Sequence, residues 1–316
     1  MISVNNETKK IIDYIMHNSE KLNIKISKSE NGATIIDCGI ETKGGLEAGK
    51  LLSEICLGGL GSVNYTQMNF GDFTIPALDI VVDNAPLGCM ASQYAGWTIS
   101  VGKFFALGSG PARALSLVEK KLFEELDYED DSNVAIIALE TAKVPDAEVI
   151  EYIAEKCNVK TEKLFVVVAP CASIAGSVQV SARLVETGLH KMHALGFDIN
   201  SVISGYGLCP ISPVAKNDMA GMGKTNDCLL YGGKTWYSVD CEDSEIEEMI
   251  KKVPSSTSND YGKPFIEIFK AVNYDFYKID SMLFSPAEIT INNVRTGKNF
   301  HAGFVNVEVL RQSLGV

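Results

Sequence analysis

Arg183 and Glu186 stand three residues apart, so on a helix they are neighbours on one face. A guanidinium beside a carboxylate orients it and favours its charged form, and a carboxylate so held can take a proton from water. His190 follows Glu186 at helical spacing, and His193 lies three residues further on. Three readings share this stripe: a solvated helix face with a surface ion pair, a metal site of Glu186, His190 and His193, and a catalytic Arg–Glu pair in a cleft. The metal reading lacks an evident further carboxylate or imidazole ligand nearby.

Glu140 ends the otherwise apolar run from Asn133 to Leu139. Its plain role is to cap a following turn; its chemical role would be as a cleft carboxylate. Cys171 follows a second apolar run, Leu164 to Ala169, but a thiol nucleophile wants a base and no histidine lies near it in sequence. The segment Gly108-Ser109-Gly110-Pro111-Ala112-Arg113 precedes Leu115, Val118, Leu122 and Leu126 at helical spacing. Pro111 suits a first turn, and Ser109 or Gly110 suits the cap. Free N–H groups at such a start hold anions, with Arg113 adding charge; the same pattern also describes an ordinary capped helix. Gly221-Met222-Gly223-Lys224-Thr225 tempts a P-loop reading. Asp218 stands where the motif's first Gly belongs and no buried strand runs into the loop, so that reading is rejected.

These residues need a scaffold, and the middle of the chain supplies one. The two apolar runs read as buried strands, with a helix between them facing inward through Val149, Ile150, Ile153 and Ala154. A long helix is expected from about Ser173 to Leu195, then a short strand at Val202 to Ser204. Strand–helix–strand–helix order predicts parallel pairing with right-handed crossovers. Ligands bind beyond the carboxyl ends of such strands, so Glu140-Thr141, Pro170 to Ser173 and Gly205-Tyr206-Gly207 are expected to converge on one crevice. Both ends of the chain mix helices and strands: Met1 to Asn18, Leu46 to Ile55 and Phe265 to Val272 read as helices. Ala33 to Cys38, Asn64 to Phe70 and Ala77 to Val82 read as strands, and Glu288 to Val305 as a hairpin turning at Arg295 to Lys298. The expected class is α/β with α+β character at both ends. The expected organisation is two domains, 1–86 with 265–316 clasping a central 87–264.

Composition narrows the function. The 316 residues carry 28 Lys and Arg against 40 Asp and Glu, a net charge of −12, which argues against nucleic acid and anionic membranes as partners. No apolar run approaches the ~18 residues of a membrane span, and the N-terminus has no signal-peptide core. The eight cysteines are scattered without a CxxC spacing, which fits a reducing cytoplasm and gives no zinc site.

Longer blocks carry a resemblance. ALGSGPARAL (106–115), APCASIAGSVQVSARLVET (169–187), SGYGLCPISP (204–213), GMGKTND (221–227), SSTSNDYGKPFIEIFKAVNYDFYKID (255–280) and FSPAEITINN (284–293) resemble the methenyltetrahydromethanopterin cyclohydrolases of archaeal one-carbon metabolism. The similarity includes Asp37-Cys38-Gly39 and Gln93 to Trp97. It implies water addition to the bridging carbon of 5,10-methenyltetrahydromethanopterin and opening to 5-formyltetrahydromethanopterin. It also implies a homotrimer, the pterin held in the cleft between two α/β domains, and no metal or redox cofactor. Arg183 and Glu186 match the family's catalytic pair, and Glu140 a further acidic residue. The expected substrate contacts are Gln93, Gly108, Ser109, Gly110, Arg113, Ser173 and Tyr206. A tail phosphate or the pterin head would suit the segment from Gly108 to Arg113. A non-catalytic pterin-binding protein and a metal-dependent hydrolase at Glu186, His190 and His193 are the alternatives.

Overall fold

The apolar runs that read as buried strands are buried on both faces and pair directly, in parallel. The computed structural model describes residues 2–275 and 278–316. Met1 of the expected N-terminal helix, and residues 276–277 within the 255–280 block, lie outside the described residues.

In chain order the elements begin with α1 (Val4–His17), β1 (Lys25–Lys28), β2 (Thr34–Asp37), α2 (Leu46–Cys56), β3 (Gly61–Asn69) and β4 (Thr74–Val82). A π-helical turn, Pro86–Gln93, leads to β5 (Trp97–Val101), β6 (Phe104–Ser109), α3 (Arg113–Ser116) and α4 (Lys120–Leu126). Next come β7 (Ala135–Glu140), α5 (Ala147–Lys156), β8 (Leu164–Ala169), α6 (Ile174–Ser181), α7 (Leu184–Ala194) and β9 (Val202–Pro210). The chain closes with α8 (Asp218–Asp227), β10 (Lys234–Val239), α9 (Asp243–Met249), α10 (Phe265–Ala271), β11 (Glu288–Asn293), β12 (Asn299–Gly303) and α11 (Val307–Leu314). The content is α/β, in two six-stranded sheets.

Two compact units hold one sheet each. Met1–Ser62 and Leu87–Gln179 form the first; Val63–Pro86 and Val180–Val316 form the second. The expected division placed 1–86 with 265–316 around 87–264; the chain passes between the units at 62/63, 86/87 and 179/180.

The first unit's sheet runs β1-β2-β8-β7-β6-β5, with β2, β8 and β7 parallel and the outer pairings antiparallel. Successive side chains of a strand face opposite ways, and the core divides accordingly. Ile35, Ile137, Leu139, Val166 and Val168 pack with Val149, Ile150 and Ile153 of α5. Ile36, Ile136, Ala138 and Val167 pack on the other face with Ile12 and Ile15 of α1 and Leu51, Leu52 and Ile55 of α2. Ser3 caps α1, its side chain accepting from the Asn6 N–H.

The second unit's sheet runs β12-β11-β10-β9-β4-β3. Here the structure departs from expectation. The strand after α7 does not extend the parallel set; β9 pairs antiparallel with both β4 and β10. Its burial alternates, with Val202, Gly205, Gly207 and Cys209 buried, as a half-covered antiparallel strand requires. Gly205-Tyr206-Gly207 is therefore strand within the second unit's sheet and not a loop.

Two expected helices are each broken in two. The segment 113–126 divides at Leu117, which is left-handed at φ 48°. The expected helix from Ser173 to Leu195 divides between Ser181 and Leu184, with Arg183 the N-cap residue of α7. The expected helices over 46–55 and 265–272 and the hairpin turn at Gly297 (φ 75°) are present.

The glycines of β9, and Gly233 just before β10, have a packing role. A Cβ on Gly205 would lie 2.4 Å from Val185 Cγ1, one on Gly207 2.8 Å from Val185 Cγ2, and one on Gly233 2.4 Å from Leu184 Cδ1. The start of α7 thus seats in a groove without side chains, and Tyr237 donates from its hydroxyl to the Val185 carbonyl at 2.7 Å. Gly205→Ala should overpack this groove and lower stability by about 1–3 kcal/mol. A urea denaturation midpoint equal to wild type would show that the groove has slack.

Candidate functional site

Arg183 and Glu186 meet at the start of α7. Arg183 Nε lies 3.9 Å from Glu186 Oε2, and the two side chains are only 11% and 7% exposed. The separation makes a charge pair longer than a hydrogen bond. Glu186 sits in the first turn, where the positive end of the helix faces a carboxylate. The Thr187 hydroxyl donates to the Arg183 carbonyl at 2.9 Å and fixes the turn that carries the arginine. The solvated-face reading of this pair is wrong, because Glu186 is buried. Such a pair can orient a base and balance its charge in a largely dry setting.

His190 and His193 do not complete a metal site with Glu186: among the described residues no group of three or more His, Cys, Asp or Glu could hold a metal ion. Burial, and secondarily the charge of His193, push the His190 imidazole down to about 4, so it is neutral at pH 7. Lys191 on the same helix went unnoticed in the sequence. It is buried, its ammonium donates to the Met282 carbonyl, and burial lowers it to about 8. A lysine between two histidines on a polar stripe gives no local sign of pointing inward.

In the first unit, Glu140 is the last residue of β7, half-buried, beside Leu107 of β6 and Ala169 of β8. The Cys171 thiol donates to Glu140 Oε1 at 2.7 Å. Cys171 thus has a carboxylate as a hydrogen-bond partner. Ser173 Oγ donates to the Pro170 carbonyl at 2.7 Å and accepts from the Gly176 N–H at 2.9 Å, so its hydroxyl closes the turn into α6. Gln93 is fully buried, and its carbonyl accepts from Ser109 Oγ at 2.6 Å. Gly108 and Ser109 pair with Leu139 and Ala138, next to Glu140 along β7.

The segment from Gly108 to Arg113 is built differently from an anion cradle. The Gly110 N–H donates to the Ser92 carbonyl, and the Ala112 N–H to the Ile136 carbonyl. Arg113 is wholly buried. Its Nε donates to Glu119 Oε1 at 2.7 Å, and Nη2 donates to the same oxygen. Nη1 donates to the carbonyls of Met90 and Ser92 at 2.9 and 3.1 Å. Tyr94 and Phe123 stack on the guanidinium at 5.1 and 5.7 Å. The break at Leu117 is what brings Glu119 back to this arginine. The expected anion-binding charge is therefore taken up inside the framework.

Tyr206, in the second unit, is 41% exposed on β9. Partial burial, and then a hydrogen bond and charge from Asp79, raise its hydroxyl above the ordinary range. Gly221 to Thr225 lies inside α8, which supports rejecting the P-loop.

A family model described as Cyclohydrolase (MCH) matches residues 3–314. A methenyltetrahydromethanopterin cyclohydrolase of Methanosarcina mazei is 49% identical over the whole chain and 99% of its own length. Enzymes of the same name from Methanocaldococcus jannaschii and Methanothermobacter thermautotrophicus are 48% and 47% identical over the whole chain, covering 99% and 100% of their own lengths.

Removing the buried guanidinium strands the Glu119 carboxylate and two carbonyls. Arg113→Ala should cost about 3–5 kcal/mol of stability, as breaking one side of a buried pair does. Thermal or urea denaturation reads this directly; wild-type stability together with weakened ligand binding would return Arg113 to an anion-binding role.

Proposed function

The chain belongs to the methenyltetrahydromethanopterin cyclohydrolase family, and from that premise we propose that Glu186 is the base that activates water, with Arg183 orienting it. The protein is an enzyme, a hydrolase that opens a cyclic amidine C–N bond in one-carbon metabolism linked to methane formation. The observation that carries the assignment of the base is the buried Arg183–Glu186 pair at the start of α7.

The substrate's bridging carbon lies between two nitrogens in an amidinium-like cation and is electrophilic as it stands. The chemistry then asks for a placed water and a proton acceptor. The water oxygen bonds to the carbon as Glu186 takes one proton. The bond from that carbon to N10 breaks, and N10 takes up a proton. The remaining hydroxyl proton leaves as the formyl C=O forms on N5. The balance is one water consumed and one proton released, with no change of oxidation state. Arg183 keeps the carboxylate charged and aimed, and a cationic electrophile tolerates a weak base. Glu140 serves as a second carboxylate that accepts a hydrogen bond from the pterin or balances arginine charge. Gln93, Ser109, Ser173 and Tyr206 are retained as substrate contacts on the resemblance of their segments. Neither alternative is favoured. The relatives match along their full lengths under an enzyme's name, and Glu186, His190 and His193 do not form a ligand group.

Glu186→Gln keeps the shape of the side chain and removes the base. Turnover should fall by about 10²–10⁴-fold while substrate binding persists. Arg183→Ala should also slow turnover, and the double variant should lose far less than the product of the two losses. Chelator-treated wild type should keep its rate in the same assay. Near wild-type turnover by Glu186→Gln would remove it from the mechanism, and a rate restored only by added metal would overturn the metal-free scheme.

The assembly we propose is a homotrimer in the cytoplasm. The family resemblance supports the trimer; the eight free, buried thiols suit a reducing compartment, and no helix of the described residues is long and apolar enough to cross a membrane. Light scattering at assay concentration should give three times the 34.2 kDa chain mass; a monomer would contradict it.

A further inference from the structure

We propose that Cys171 is a positioning residue for Glu140: its thiol holds one carboxylate oxygen and leaves the other for the substrate. The inference rests on the reading above that Glu140 meets the substrate.

Three features of the first unit support it. Cys171 Sγ donates to Glu140 Oε1 at 2.7 Å, and no hydrogen bond to Oε2 is present among the described residues. The backbones that carry the two side chains are locked together. Glu140 pairs with Ala169 in the parallel register, and the Thr141 N–H donates to the Ala169 carbonyl at 3.2 Å. The loop that presents the thiol is itself rigid. Ser173 closes it through Pro170 and Gly176. A Cβ on Gly39 would lie 2.6 Å from Ser173 Cβ, and one on Gly176 1.9 Å from the Pro170 carbonyl oxygen. Glycine at both places lets the backbone close on the loop with no side chain between.

A half-buried carboxylate at the end of a strand has free χ angles unless something holds it, and holding it costs side-chain entropy. A thiol is a weak donor, and its value here is geometric. It fixes the carboxylate's plane without adding a charge, where a lysine or arginine would neutralise it against a cationic substrate. Cysteine at this site is then explained by the neutrality and size of its donor, and needs no nucleophilic step.

The test compares Cys171→Ala, Cys171→Ser and Cys171→Val with Glu140→Gln in the full-length enzyme, reading kcat and KM separately. Loss of a hydrogen bond to a charged group corresponds to roughly ten-fold or more. The alanine and valine variants should lose about that much in the same parameter that Glu140→Gln affects. The serine variant, which keeps a donor, should recover most of the rate. Adding Cys171→Ala to Glu140→Gln should cause little further loss. Valine fills the thiol's volume without a donor, so it replaces alanine if the cavity unfolds the protein. A lowered rate in Glu140→Gln with wild-type behaviour in the alanine and valine variants would overturn the positioning role while leaving Glu140 in the mechanism. Wild-type behaviour of Glu140→Gln would remove Glu140 and the proposal with it.

Discussion

Parallel pairing of β2, β8 and β7 is the constraint on which the first unit depends. Parallel strands need crossovers, and all of them end at one edge. Asp37, Val168 and Leu139 therefore fall in one row, with Glu140 beside Ala169 just beyond it. Everything polar in this region hangs from that row. The Asp37 carboxylate accepts from the N–H groups of Gly39, Ile40 and Glu41, which turns the chain tightly after β2. That turn lets Gly39 close on Ser173, and Ser173 in turn shapes the loop that carries Cys171. A register slip by one residue would move Glu140 to the opposite face and replace it with an apolar neighbour.

The second unit solves a different problem, that of placing the end of a helix against a sheet. Ridges of side chains usually keep a helix well above a sheet. Gly205, Gly207 and Gly233 remove those ridges where Leu184 and Val185 arrive. The helix end comes close, Tyr237 holds its first turn, and the Arg183–Glu186 pair is fixed at its N-terminus. A methyl added at any of the three would lie within 2.8 Å of Leu184 or Val185, the two residues between Arg183 and Glu186.

Much of this was legible in the sequence, and the misses have physical causes. Strands such as Ile136 to Leu139 and Val166 to Val168 announce themselves because burial on both faces demands an unbroken apolar run. Arg183 and Glu186 were legible as a pair because either helical or capping geometry brings residues three apart together. The breaks at Leu117 and at Ala182-Arg183 were not, since both segments keep apolar spacing through the break and neither contains proline or glycine there. The assignment of β9 failed for a related reason: two glycines in a short strand look like a loop until the helix that needs their space is in place. Asn5 left no trace either. Its side chain bridges Pro111, Asp130 and Ile136, contacts more than a hundred residues away that no local pattern encodes.

The two arginines show how far residue type alone carries a functional argument. Arg113 and Arg183 both stand near helix starts and both have a glutamate partner. Arg113 has Glu119 and two backbone carbonyls at hydrogen-bond distance, two aromatic rings on its faces and no exposure, an arrangement that engages all three of its nitrogens within the framework. Arg183 is held to Glu186 at 3.9 Å and keeps a margin of exposure. A buried cation whose nitrogens are all engaged organises the framework around it, whereas the longer Arg183–Glu186 contact leaves a carboxylate beside a guanidinium in a largely dry setting. Two arginines of the same local type thus differ in depth and in the length of their carboxylate contact, and neither difference can be read from residue type.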